Sequence, residues 1–123
     1  MIDLRMITSQ MLIQYLQDRY RVKPDYIFAK HPDYAVFRHP LSQKWFGLFM
    51  QIPGTKLGLQ TTTLKPVLNL KLDPEFIDVL RQQTGYYPAY HMNKQHWISI
   101  DLDQVADLSE IVPLIEDSYL LTR

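Results

Sequence analysis

Cysteine is absent from this chain, which removes disulfide frameworks, thiolate metal sites and cysteine nucleophiles together and leaves the redox compartment open. Glycine is scarce, at four residues, so no glycine-rich phosphate cradle is available, and "LGLQ" at Leu57 to Gln60 reads as a turn leading into a strand. An excess of charge of either sign is missing too. Thirteen basic and thirteen acidic side chains sum to a formal zero, so affinity for a polyanion has to come from uneven distribution. No apolar run approaches the roughly 20 residues of a membrane span, and "MIDLRMITSQMLIQYLQ" lacks the basic-then-apolar pattern of a leader. A soluble, cytoplasmic protein is the expectation.

What is present is ordinary globular material: 123 residues, 46% hydrophobic and 21% charged, which reads as one domain over residues 1–123. From Thr8 to about Tyr20, Met11, Leu12, Tyr15, Leu16 and Arg19 recur at helical spacing, with Thr8 or Ser9 able to cap the start. The runs "YIFA", "YAVFRHP" and "KWFGLFMQIP" then read as hairpin-connected strands separated by proline and aspartate turns. "KWFGLFMQI" is apolar at almost every position, as a central strand covered on both sides would be, with Gly47 marking a bulge or a close approach.

In "VLNLKLD", Leu68, Leu70 and Leu72 point one way and Asn69 and Lys71 the other, which predicts one wet face. Ile98, Ile100 and Leu102 alternate in the same manner with Trp97, Ser99 and Asp101. Asp73 and Pro74 open a second helix with Phe76, Ile77 and Leu80 as its apolar stripe and Gly85 as its stop; Tyr86 and Tyr87 are expected to cover its end. A last helix from near Ser109 to Leu121 buries Ile111, Leu114, Ile115 and Ser118, with Pro113 expected in its first turn. The sum is an α+β fold: a two-layer sandwich, an antiparallel sheet with helices on one face and the other face open to partners.

Candidate chemistry concentrates in "YPAYHMNKQHWISIDLD", Tyr87 to Asp103. His91 and His96 match no zinc spacing and offer too few ligands for a metal site. Neither they nor Ser99 compose a nucleophile, base and orienter, so no metal, no cofactor and no enzymatic activity is expected. For nucleic acid, cations must meet phosphates and rings or amides must meet bases. Arg38, His39 and Lys44 around "RHPLSQKW" qualify, together with His91, Asn93, Lys94, His96 and Trp97. Each has a plain structural alternative: Trp45 and Trp97 as core or half-buried rings, Asn93 as the turn into the strand, His91 bonded to backbone or to a neighbouring strand, Lys94 in solvent.

The run "YHMNKQHW" is similar to the signature of the MmcQ/YjbR family; "VLNLKLDPEFIDVLRQQ", "RHPLSQKWFGLFM" and "LIEDSYLL", with its Ser118-Tyr119 pair, resemble that family's other segments. The resemblance covers Arg38 to Leu121. It implies a single domain with an antiparallel sheet and a secretion-chaperone-like architecture, a predicted "double-wing" DNA-binding label, and no catalytic residues or cofactor to transfer. Two readings follow. In one, Lys44, Lys94 and Arg38 neutralise DNA phosphates while Asn93, His91 or Trp97 touches bases or sugars. In the other, the open sheet face or a helix groove binds a protein partner. The residues alone favour the protein partner, and the resemblance moves the expectation to DNA. A single basic face made by Arg38, Lys44, Lys56, Lys65, Lys71 and Lys94 would mark the DNA reading.

Overall fold

The alternation of Leu68, Leu70 and Leu72 with polar residues sets the architecture, because a strand with one apolar face must lay that face against a second layer. A computed structural model of the chain describes residues 7–123; the sequence reading of residues 1–6 as part of a leaderless segment lies outside them. Helix α1 spans Ser9–Tyr20, strand β1 Ala35–Arg38, β2 Trp45–Pro53, β3 Leu64–Lys71, helix α2 Pro74–Leu80, β4 Tyr86–Pro88, β5 Trp97–Asp101 and helix α3 Leu108–Leu121. The five strands form one antiparallel sheet in the order β1-β2-β3-β5-β4. Among the described residues no helix is long and apolar enough to cross a membrane.

All three helices cover one face. Leu12, Leu16 and Tyr20 of α1, Ile77 and Leu80 of α2, and Ile111, Leu114 and Ile115 of α3 are buried in one cluster with Leu68, Leu70, Ile98, Ile100 and Leu102 of the sheet. Local chemistry places their ends. Thr8 accepts a hydrogen bond from the Met11 amide at 3.1 Å, and Asp73 accepts one from Glu75, with Pro74 at the first helical position. Gly85, at φ +97°, makes the reversal from the end of α2 into β4.

The second face is not open, which corrects the sequence expectation. Tyr34, Val36, Leu48, Met50, Ile52 and Val67 are buried on it, under Phe28 from the α1–β1 connection and Tyr90 and Met92 from the β4–β5 loop. Asn69, Ser99 and Asp101, expected to be wet, are fully buried. The reason is a closed hydrogen-bond set. Ser99 and Asn69 face each other across β3 and β5; the Ser99 hydroxyl donates to Asn69 Oδ1 and accepts from the Tyr90 amide, while Asn69 Nδ2 donates to the Tyr90 carbonyl. A polar stripe that alternation assigns to water is used to hold a loop, with every group paired.

Three further expectations change. "YIFA" forms no strand; the connection it belongs to folds over the second face and, among the described residues, bridges the sheet only at Asp25, just before it, opposite Val36. Tyr86 and Tyr87 form a short edge strand, β4, a length that carries no periodic signal; Tyr86 is buried in one cluster with Ile77 and Leu80 of α2, as expected, while Tyr87 packs on the second face. Pro113 lies inside α3 past its first turn, where its missing amide leaves the Ser109 carbonyl without a helical partner.

Candidate functional site

A bulge decides where the first tryptophan goes. Phe37 pairs with Gly47 and Arg38 with Trp45, so Phe46 is an extra residue in β2. Phe46 turns into the helix-side core, and Trp45 is delivered to the opposite face, half-buried against Phe28 at 6.2 Å between ring centres. On the neighbouring strand, Lys71 at the end of β3 stands directly opposite Trp97 at the start of β5. Three adjacent strands therefore present Trp45, Lys71 and Trp97 along one end of the second face. Lys44, Met92 and Leu121 complete a cleft of about 360 Å³ around them.

The floor of this cleft is held by Ser118 of α3. Its fully buried hydroxyl donates to the Phe46 carbonyl at 2.6 Å and accepts from the Lys71 amide at 2.9 Å, bridging β2 and β3 where the bulge ends their direct pairing. The adjacent Tyr119 stacks on Tyr20 at 4.3 Å and packs on Phe46 at 5.0 Å. The Ser118-Tyr119 pair thus couples the last helix to the cleft strands.

The predicted residues divide sharply. Lys44 and Trp97 line the cleft. Arg38 is committed: Nε lies 3.1 Å from Asp25 Oδ2, without the alignment of a hydrogen bond, and the guanidinium sits 5.8 Å from the Trp45 ring centre. Asn93 makes the turn, its Oδ1 accepting from the Gln95 and His96 amides at 2.8 and 3.2 Å. Lys94 is exposed, as expected, and its ammonium also donates to the Ala89 carbonyl at 2.9 Å across the five-residue loop. His91 makes no side-chain hydrogen bond among the described residues. It sits at φ +65° with its ring 3.8 Å from Tyr90 and lines a neighbouring pocket. His96 is exposed and borders neither cavity.

His39 is not a surface cation. It is buried between Phe46 and Tyr119, and its Nε2 lies 2.8 Å from the Thr122 hydroxyl. That hydroxyl also lies 2.7 Å from the Ser118 carbonyl, to which it can donate, and so ties the His39 ring to the end of α3. Burial lowers the His39 pKa below its ordinary value; a hydrogen bond at the Tyr119 backbone opposes this, and the Arg123 and Lys44 charges add to it.

The six cations do not gather into one basic patch. Lys65, at the far end of β3 from Lys71, is held between Asp101 and Asp103 at 3.5 and 3.2 Å; burial alone would lower its pKa, but the carboxylates outweigh that and raise it. Lys56 lies in the 3-10 turn after β2. Only Lys44 and Lys71 converge, and neither forms an ion pair among the described residues.

Beside the cleft, on the other side of Trp45 and Met92, lies a second cavity of about 310 Å³ lined by Phe28, His31, Tyr34, Leu48, Met50 and His91. Burial raises the Tyr34 pKa, assisted by Tyr90 and Asp33, so its hydroxyl stays neutral. Sequence reasoning missed Phe28, His31 and Tyr34 because the connection carrying them has no period; Lys71 was legible as the polar residue opposite the leucine face. Among the described residues no three metal-ligating side chains converge.

A family model described as YjbR matches residues 17–121. The chain is similar to the uncharacterized protein YyaQ of Bacillus subtilis, 42% identical over 118 residues that cover 96% of this chain and 100% of that one. It is 39% identical over 114 residues to the uncharacterized protein YjbR of Escherichia coli K12, covering 92% and 85%. A crystal structure of a Pseudomonas syringae protein superposes with a TM-score of 0.91 at 47% identity, covering 95% of this chain and 100% of that one. The crystal structure of a Deinococcus radiodurans protein, at 24% identity and a TM-score of 0.71 over 98% of this chain and 81% of that one, shares the fold.

Proposed function

The chain belongs to the YjbR family, and on that footing we propose that it is a non-enzymatic nucleic-acid-binding protein whose site is the cleft of Trp45, Trp97, Lys44 and Lys71. The observation that supports this is the convergence, on one concave surface, of two indole rings and two ammonium groups that form no ion pair among the described residues. Indole faces stack on bases of any identity, and lysines answer phosphates as point charges.

The same geometry favours a single strand over a duplex. A duplex binder spreads several phosphate contacts over a basic surface, whereas here Arg38 is paired with Asp25 and Lys65 with Asp101 and Asp103. Two cations beside two rings suit a short stretch of unstacked strand. Asn93 and Lys94 serve this site indirectly, by shaping the loop that leads into Trp97.

Fluorescence anisotropy of labelled single-stranded and duplex DNA across a salt series tests the reading, with quenching of Trp45 and Trp97 as a second signal. Single strands bind more tightly than duplex at low salt. Lys44→Ala and Lys71→Ala each shallow the dependence of log affinity on log salt by about 0.7, the value for one phosphate contact on a single strand. Absence of binding at low salt refutes the proposal and favours a protein partner on the same cleft, whose rim carries the half-exposed Leu121.

A further inference from the structure

The cavity beside the cleft has walls of a particular kind. Phe28 meets Tyr34 and Trp45 edge-on, at 5.8 and 6.2 Å, and the His31 ring lies parallel to Tyr34 at 4.3 Å and 10°. The buried Met50 and the exposed His91 are also part of the lining. These surfaces suit a flat ring system, and a volume of about 310 Å³ is at the small end of ligand sites.

Three observations narrow the ring to a heterocycle attached to an anion. His31 and His91 are exposed, and neither ring makes a hydrogen bond among the described residues, so the lining offers nitrogen donors and acceptors that a hydrocarbon would leave unused. Arg38 already lies against the Trp45 ring, so a cation contact on that ring is filled from within the chain and a caged cation is disfavoured. Trp45 and Met92 are walls of both cavities, so a group in the aromatic pocket is one short linkage from Lys44 and Lys71.

We infer that the aromatic pocket takes one unstacked nucleobase whose attached phosphate lies against Lys44 and Lys71 in the cleft. The inference deepens the nucleic-acid reading and rests on it for the source of the base: a position in a single strand, in preference to a free mononucleotide. Base insertion divides the work between the cavities, with the cleft binding backbone irrespective of sequence and the pocket responding to one base.

An abasic position scanned along a strand of about six nucleotides tests this, the length matching a small single-strand site. One position is expected to lose affinity about tenfold when its base is missing, within the range for one stacked base. Phe28→Ala and His91→Asn each abolish that difference, while Lys44→Ala weakens intact and abasic strands alike. Asparagine is chosen because it tolerates the positive φ of His91, an exposed site where the substitution leaves the fold intact. Circular dichroism checks the fold of the Phe28 variant.

Equal binding of every abasic strand, or strands that bind the Phe28 and His91 variants as they bind the wild type, overturns the inference while leaving strand binding to the cleft standing. Titration with a nucleoside monophosphate separates the sources. A mononucleotide that binds and is lost in His91→Asn, with no strand binding, keeps the base pocket and refutes the strand reading. Binding of neither refutes both.

Discussion

Replacing Ser118 by alanine removes one oxygen from the interior and leaves two backbone groups without partners. The hydroxyl is the acceptor for the Lys71 amide and the donor to the Phe46 carbonyl, at 2.9 and 2.6 Å, in a residue with no solvent exposure. With a near-tetrahedral angle at the hydroxyl, that amide and carbonyl stand about 4.5 Å apart, too far to bond directly. Closing the gap requires β2 and β3 to approach by about 1.5 Å against the bulge at Phe46 and the anchoring of α3 by Ile111, Leu114 and Ile115. The strands therefore stay apart. Each buried group left unsatisfied costs about 1–3 kcal/mol, so with two such groups Ser118→Ala is expected to lose about 2–6 kcal/mol. Urea unfolding followed in parallel by tryptophan fluorescence and far-ultraviolet circular dichroism measures it, and coincident transitions justify a two-state treatment. Ser42→Ala is the control: that hydroxyl also accepts a backbone amide, from Lys44 at 3.3 Å, but it is exposed and water replaces it, so the change stays within about 0.5 kcal/mol. A loss below about 1 kcal/mol for Ser118→Ala would refute the argument that the serine is a necessary bridge.

Leu70→Ala, at a side chain 1% exposed and opposite Ile98 in the sheet, is expected to cost about 2–5 kcal/mol, measured by the same unfolding curves. Asn93→Ala loses the acceptor for the Gln95 and His96 amides and costs about 1 kcal/mol, most of it recovered in Asn93→Asp, which keeps the oxygen. The buried His39 supplies a pH dependence. Because its folded pKa lies below the ordinary 6.5, the unfolded chain takes up the proton first as pH falls, so this contribution to stability is complete above pH 6.5 and declines below it. His39→Phe lowers stability at neutral pH and flattens the decline between pH 7 and 5; equal slopes in both proteins would contradict the assignment.

The α+β class, the order of most elements and the helix-side core were legible because they rest on local periodicity. Leu68, Leu70, Ile98 and Ile100 alternate in the chain and lie on one buried face, and Thr8, Asp73 and Pro74 start helices by chemistry confined to one turn. The candidate residues were legible as types, and the YjbR signature with them, but not as a set. Trp45 reaches the cleft only because the extra Phe46 reverses the inside-outside order of β2, and Lys71 meets Trp97 through the β3–β5 register, between residues 26 positions apart. Likewise Asn69 and Ser99 read as wet until Tyr90 supplies the amide and carbonyl that bury them. Periodicity states which side of its own strand a residue occupies. Whether water, a loop or a ligand covers that side is decided by groups distant in sequence, through hydrogen bonds and packing that exist only in the folded chain.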